Sequence, residues 1–427
     1  MNAPGIDTGT DKSRHFTDRS LDSRGNGGFL SSIMMRRLHK LLDRMDAGLR
    51  VGQIEVHLPG GSFRILGGRA DGPQAAIHIL HWRALARIGW SGSVGLYEGW
   101  AKGEWESPDP VSIFSLFVLN RVSLGNAARP SPFMRWAGRM LHRLRRNSRA
   151  GARRNIEFHY DLGNDFYAAW LDETMTYSSA LFDEAAMGGD ELAAAQHRKN
   201  ARMLERLNLK DGESLLEIGC GWGGLAELAV QRHKIDYHGI TLSQEQKAYA
   251  DQRLAPFGKK TAVTITDYRD VDGAYDAIVS VEMVEAVGQE YWPSYLDCID
   301  RNLKAGGRAA IQYIRIEDDI FELYAKNVDF IQRYIFPGGM LLSESRFRAL
   351  AEARGLIWQD QQDFGLHYAE TLRRWRANFE TIVKDGHLPA KFDQKFIDLW
   401  RFYLMYCEGG FRGGGINVTQ VTLLKNI

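Results

Sequence analysis

Residues 215–224 read LLEIGCGWGG, an apolar run that breaks into four glycines within six residues. The run suits a strand covered on both faces, and the glycines suit a sharp turn into a helix. Glycine bares the backbone, so ligand atoms can approach it closely. In a dinucleotide site the spacing GxGxxG sets a pyrophosphate on a helix N-terminus. Here the spacing is GxGxGG, through Gly219, Gly221, Gly223 and Gly224, and Glu217 stands two residues before the first glycine. A carboxylate at that place repels phosphate and suits a ligand with a positive amino group. That ligand is S-adenosylmethionine.

The flanking sequence extends the pattern. SLLEIGC, DYHGITL, AVTITDY, YDAIVSVEM and RAAIQYI are strand-like runs, separated by helical segments such as LAELAVQRH, SQEQKAYADQRLA and EYWPSYLDCIDRNL. Strands alternating with helices predict an α/β fold, Rossmann-like, with a mostly parallel sheet covered by helices on both faces. Its ligand belongs off the carboxyl ends of the strands, where the strand order reverses. After the second strand, Thr241, Leu242 and Gln246 lie where a ribose would sit, and Thr241 or Gln246 offers it a hydrogen bond. Asp267 and Tyr268, after the third, offer an acid to the adenine amino group and a ring to its face. Each stretch has a plainer reading: Ser243 as a helix cap and Asp267 as a turn residue.

Upstream lies a different kind of sequence. Residues 1–28 are polar and read as a disordered tail without the apolar stretch of a signal peptide. Residues 29–130 form a smaller α+β unit: a helical pattern, FLSSIMMRRLHKLLDRM, then short β-like runs QIEVHL, SFRILG and AAIHILH. With 427 residues, the chain has length for two domains, each with its own core. VSIFSLFVL, residues 111–119, falls well short of a bilayer span. Residues 131–154 carry Arg135, Arg139, Arg143, Arg145, Arg146, Arg149, Arg153 and Arg154 without an acid, opposite Phe133, Trp136, Met140, Leu141 and Leu144 at helical spacing. That composition fits a helix lying in an anionic membrane interface, or an amphipathic linker docked on its own protein. The net charge of +1 argues against a nucleic-acid binder. The three cysteines are scattered without CxxC spacing, so neither a disulfide framework nor a metal site is expected.

HYDLGNDFYAAWLDETMTYSSALF, LLEIGCGWGGLA, GITLSQEQ, DYRDV, SVEMVEAVG, YIFPGG and FYLMYCEGGFR occur in this order. Together they resemble the cyclopropane-fatty-acyl-phospholipid synthases and related fatty-acyl C-methyltransferases, across residues 155–427. The N-terminal part resembles the family's lipid-binding domain more loosely. The resemblance implies a class I S-adenosylmethionine-dependent methyltransferase fold, with Tyr177 and Ser178 beside the donor. It also implies methyl transfer to a cis double bond in an acyl chain of a membrane phospholipid. It adds a homodimer or higher oligomer and a cytoplasmic enzyme held peripherally at the inner membrane face.

An alkene is a poor nucleophile, and its attack on a sulfonium methyl leaves a carbocation. Such a site must exclude water, stabilise the cation and offer a base. Tyr177, Phe182, Tyr334 and Phe336 lie in motifs suited to an aromatic wall; core packing is the alternative, and the expected role of Phe182 and Phe336. In the family, bicarbonate in the site is the proposed base, held by a Glu, a Tyr, a His and a Cys. The Glu matches Glu285 and the Tyr matches Tyr334, while a further family cysteine matches Cys407, which can equally be a pocket wall. Two positions depart: MxYSC becomes MTYSS, with Ser179 for cysteine, and Gln312 stands for the histidine. Both keep hydrogen-bonding capacity, but the imidazole's proton transfer near neutral pH is gone. This resembles a branch that leaves methyl-branched or methylene chains instead of rings. The rivals are a methyltransferase acting on N or O of a small molecule, and a lipid-binding homologue without activity.

Overall fold

The computed structural model describes residues 29–125 and 162–427. The expected tail (1–28) and the basic segment (131–154) lie outside the described residues.

The glycine-bearing run is an interior strand of an eight-stranded sheet. Its strands are β5 (Ser214–Ile218), β6 (Asp236–Thr241), β7 (Thr261–Ile265), β8 (Tyr275–Val281), β9 (Leu303–Ile316), β10 (Leu342–Ser343), β11 (Leu356–Asp363) and β12 (Ile416–Lys425). The order is β11-β12-β9-β8-β5-β6-β7, with β10 on β9. From β9 to β7 neighbours run parallel, as the alternation of strands and helices requires. The expectation of a mostly parallel sheet therefore holds, and β12 departs from it by lying antiparallel between β9 and β11. The chain leaves β5 towards β6 and β7, then returns to place β8 on the other side of β5. That reversal opens a crevice between the ends of β5 and β8.

The N-terminal unit is a helix, Phe29–Gly48, and a small sheet, followed by short helices. Its strands β1 (Gln53–His57), β2 (Phe63–Gly67), β3 (Gln74–Ile79) and β4 (Trp105–Glu106) are ordered β2-β1-β3-β4. Period-two patterning turns Ile54, Val56, Ile77 and Ile79 inward.

The N-terminal unit shares its core with the catalytic unit: one buried cluster runs from Ile54, Ile77 and Ile113 to Phe166, Trp375 and Phe402, while two further clusters lie wholly within the catalytic unit. The joint is the apolar run near residue 115, which forms the helix Pro110–Leu119, capped by Asp109. This helix packs against Gln394–Arg412. Gly409 permits the approach, because a Cβ there would lie 2.4 Å from Phe114 Cβ and 2.9 Å from the Val111 carbonyl oxygen. Glu408, beside it, is buried and neutralised by Arg376 and Arg412 at 2.9 and 2.7 Å.

Gly409→Ala should therefore force the two helices apart and cost about 1–3 kcal/mol, the usual range for overpacking. Thermal unfolding followed by circular dichroism should show a midpoint lowered by several degrees. An unchanged midpoint would mean that the helix contact does not join the units.

Candidate functional site

After Ile218 the chain turns through Gly219, Gly221 and Gly223, whose φ values of +83°, +52° and +81° lie in the left-handed region. A Cβ on Gly219 would press on Met283 at 3.0 Å, whereas one on Gly221 would meet nothing within 4 Å. The turn is thus a backbone cradle facing open space, leading into the helix Gly224–Arg232. Glu217 is 3% exposed and accepts a 2.6 Å hydrogen bond from the Tyr237 hydroxyl. Burial pushes its carboxyl up to about 8, against the pull of that hydrogen bond and of Lys199.

Thr241 donates to the Gln246 side-chain oxygen at 2.8 Å, so the two form one preset polar pair at the end of β6, with Leu242 half-buried between them. Ser243 has the plainer role, accepting the Gln246 amide as a helix cap. Asp267 caps its own short turn and pairs with Arg269 at 2.5 Å. Tyr268 is buried edge-on to Tyr295. An adenine there would share Asp267 with Arg269. The buried carboxylate, the open cradle and the preset hydroxyl–amide pair fit S-adenosylmethionine, which supplies an electrophilic methyl on a sulfonium.

The other side of the crevice carries a pair of acids. Glu282 follows β8 with φ +49°, a conformation costing a non-glycine residue roughly 1–2 kcal/mol. Its carboxylate accepts from the Ser179 backbone N–H at 2.9 Å, the Gln312 amide at 2.7 Å and the Tyr368 hydroxyl at 2.7 Å. Gln312 is turned this way by its cross-strand partner Gln420, which donates to its oxygen at 2.9 Å and accepts from Arg202 at 2.6 Å. Glu285 has less support. One oxygen accepts from the Ile314 backbone N–H, and the other, Oε2, has no hydrogen-bond partner among the described residues. Desolvation, and then the neighbouring charge of Glu282, push Glu285 up to about 8. Glu282 is also raised by desolvation, opposed by its three donors and by Lys199.

Lys199 is 1% exposed and donates to Ser178 Oγ at 2.8 Å. Desolvation lowers its ammonium to about 8 against the attraction of Glu282 and Glu217. It ties the donor side to the acid side through the Ser178–Ser179 turn. The hydroxyl of Ser179 donates to the Ala180 carbonyl oxygen, not to Glu282. Its main-chain N–H is the group that reaches Glu282.

Tyr334 requires a correction. Its hydroxyl donates to Glu98 of the N-terminal unit at 3.0 Å, and its ring meets Tyr97. The tyrosine at the acid pair is Tyr368. Bicarbonate does not fit this arrangement, since the donors around Glu282 already hold a carboxylate, and a second anion would be repelled by it. Of the aromatic candidates, Tyr177 lines the site, sharing a 2.7 Å hydrogen bond with Tyr403 and standing against Trp170 and Trp375. Phe336 lines it too while packing against the core cluster, as expected, and Phe182 is buried beneath Arg374. Cys407 forms part of the wall, and burial raises its thiol, so it stays uncharged.

These groups close one end of a cavity of about 720 Å³. Glu282, Glu285, Tyr177, Tyr368, Tyr403 and Cys407 lie at that end. From there the walls run over Phe336, Ile314 and Phe114 to Leu85 of the helix Arg83–Ser91 and to Ile54, Val56, Ile77 and Ile79 of the small sheet. The volume is in the range of sites that enclose a small molecule. Among the residues missed in the sequence, Glu282 stood in the quoted SVEMVEAVG, where an acid closing an apolar strand was the available signal. Tyr368, Lys199 and Gln420 gave none.

The family model for mycolic acid cyclopropane synthetase matches residues 147–421. The tuberculostearic acid methyltransferase UfaA1 of Mycobacterium tuberculosis is 40% identical over 377 residues, covering 84% of this chain and 85% of its own. The cyclopropane-fatty-acyl-phospholipid synthase of Escherichia coli K12 is 34% identical over 357 residues, covering 83% and 88%. Among solved structures, the mycolic acid cyclopropane synthase CmaA1 complexed with SAH and CTAB superposes with a TM-score of 0.59 at 31% identity. That match covers 64% of this chain and 98% of CmaA1.

Because Glu217 is protonated below about 8 in the free protein, pairing with the donor's ammonium must release a proton. Calorimetric affinity for S-adenosylhomocysteine should therefore strengthen by up to about tenfold per pH unit from pH 6 towards 8. Glu217→Gln should flatten the slope; an equal slope in that variant would exclude Glu217 as the ammonium's partner.

Proposed function

The chain belongs to the mycolic acid cyclopropane synthetase family and is an S-adenosylmethionine-dependent methyltransferase; from that premise we propose that it methylates a cis double bond in the unsaturated fatty acyl chain of a membrane phospholipid. The observation that carries this reading is the mainly apolar cavity that holds Tyr177, Glu282 and Glu285 together with Ile54, Val56, Ile77 and Ile79 of the small sheet. An acyl tail can fill the region between Ile54 and Phe336 while its double bond stands before Tyr177, Glu282 and Glu285. A nitrogen or oxygen substrate would leave these hydrocarbon walls without purpose. An inactive lipid carrier would not need Glu217 and the open glycine cradle.

The chain's residues have three tasks. The walls exclude water from a carbocation that water would quench. The faces of Tyr177 and Phe336 and the charge of Glu282 stabilise that cation in a medium of low dielectric constant. The preset pair Thr241–Gln246, with Glu217, fixes the donor so that its methyl faces the cavity. With Gln312 in place of an imidazole, the product is a methylene or methyl-branched chain in preference to a ring. The tuberculostearic acid relative supports that choice.

The substrate sits in a bilayer, and among the described residues no helix is long and apolar enough to cross one. The arginine-rich residues 132–154 supply attraction to an anionic surface instead. Incubating the pure enzyme with methyl-labelled donor and dioleoyl phosphatidylglycerol vesicles tests both points. Label should appear on acyl carbon, as an exocyclic methylene or a methyl-branched alkene by proton NMR, and turnover should fall as salt is raised. Label on nitrogen or oxygen would overturn the reading, and a cyclopropane as main product would overturn the product assignment.

A further inference from the structure

We infer that Glu282 is this enzyme's built-in base, filling with its own side chain the place where the family's proposed mechanism puts a bicarbonate ion. The inference rests on the functional reading above and deepens it.

Three donors from three separate elements converge on one carboxylate: the loop N–H of Ser179, the β9 amide of Gln312 and the helix hydroxyl of Tyr368. Such convergence is what a bound anion requires. Here the anion is covalently attached to the chain. The backbone at Glu282 confirms that the position is unusual, for its φ of +49° is glycine's territory, and a glutamate is held there at a conformational penalty. Both departures in the sequence fall on this cluster. Ser179 contributes its main-chain N–H while its hydroxyl is bound to the Ala180 carbonyl oxygen, and Gln312 presents an amide donor oriented by Gln420. A neutral imidazole in place of Gln312 could turn either a lone pair or an N–H towards Glu282, whereas this amide, with its oxygen engaged by Gln420, presents a donor.

Of the two acids, Glu282 is the one to act as base. Its three donors favour the ionised form, while Glu285 is met by main-chain N–H groups alone, keeps an oxygen without a hydrogen-bond partner among the described residues and faces a neighbouring negative charge, and so keeps its proton. Like charges this close do not both ionise readily.

The alkene's π pair forms the new C–C bond to the donor's methyl, and the S–C bond breaks with its pair remaining on sulfur. The neighbouring chain carbon becomes cationic, and a hydride shift moves the charge to the methyl-bearing carbon. A proton then passes from the new methyl to the carboxylate of Glu282, and its C–H pair becomes the exocyclic C=C. Glu282 later returns that proton to solvent. No oxidant, reductant or further ion takes part.

The test combines bicarbonate removal with two variants, using dioleoyl phosphatidylglycerol vesicles and methyl-labelled donor. Glu282→Gln keeps the shape but not the basicity. Glu282→Gly removes carboxylate and backbone strain together, and leaves a hollow ringed by the Ser179, Gln312 and Tyr368 donors. The wild type should be equally active in buffer stripped of carbon dioxide and in buffer with added bicarbonate. Both variants should lose roughly 10²–10⁴-fold in turnover, while affinity for S-adenosylhomocysteine and the unfolding midpoint stay close to wild type. Added bicarbonate or acetate should restore part of the activity of Glu282→Gly and none of that of Glu282→Gln. A wild type that needs bicarbonate, or a Glu282→Gln variant with full turnover, would overturn the inference. Wild type that never labels acyl carbon, with or without bicarbonate, would instead overturn the functional reading beneath it.

Discussion

A carboxylate taken out of bulk water must be met by donors or surrender its charge. Glu282 and Glu285, a few residues apart at the end of β8, show the two outcomes. Glu282 gathers a main-chain N–H, an amide and a phenol. Glu285 is left with an oxygen unpartnered among the described residues and a raised carboxyl. The difference between them is made by distant parts of the chain, and so the site exists only when the whole catalytic fold is assembled. β9 supplies Gln312, β12 supplies the Gln420 that orients it, and the helix Gly365–Lys384 supplies Tyr368.

The same requirement explains the shared core. A dry cavity long enough for an acyl tail needs more apolar wall than the crevice between β5 and β8 can offer. The small N-terminal sheet provides it, with Ile54, Val56, Ile77 and Ile79 facing inward. Gly409 lets the helix Pro110–Leu119 close against Gln394–Arg412, which makes the two units one body around the cavity. Substrate binding and fold integrity thus depend on the same packing.

Much of this was legible from the residues because it is local. The runs that became β5 to β9 carry their own apolar pattern, and the glycine turn with Glu217 names its ligand by charge. Thr241 and Gln246 lie five residues apart, within reach of local reasoning. What was not legible is tertiary. Tyr334 and Tyr368 are both tyrosines on helices near the C-terminal half, and only the fold decides that one meets Glu98 and the other Glu282. The role of Ser179 lies in its backbone, which no side-chain pattern announces. The antiparallel placement of β12 between β9 and β11 depends on pairing with strands scores of residues away. The core shared by the two units is likewise tertiary, with the close helix contact at Gly409 one of the places where they meet.

The central claim is that the double bond of an acyl chain is brought, inside a mainly apolar cavity, against Glu282 and Tyr177. A crystal structure with S-adenosylhomocysteine and a monounsaturated phospholipid bound would test it most directly. The account predicts the double bond beside Tyr177, Phe336 and the Glu282 carboxylate, with the tail running on towards Ile54 and Ile77. An acyl chain lying elsewhere, or a water-filled cavity with its double bond remote from Glu282, would contradict it.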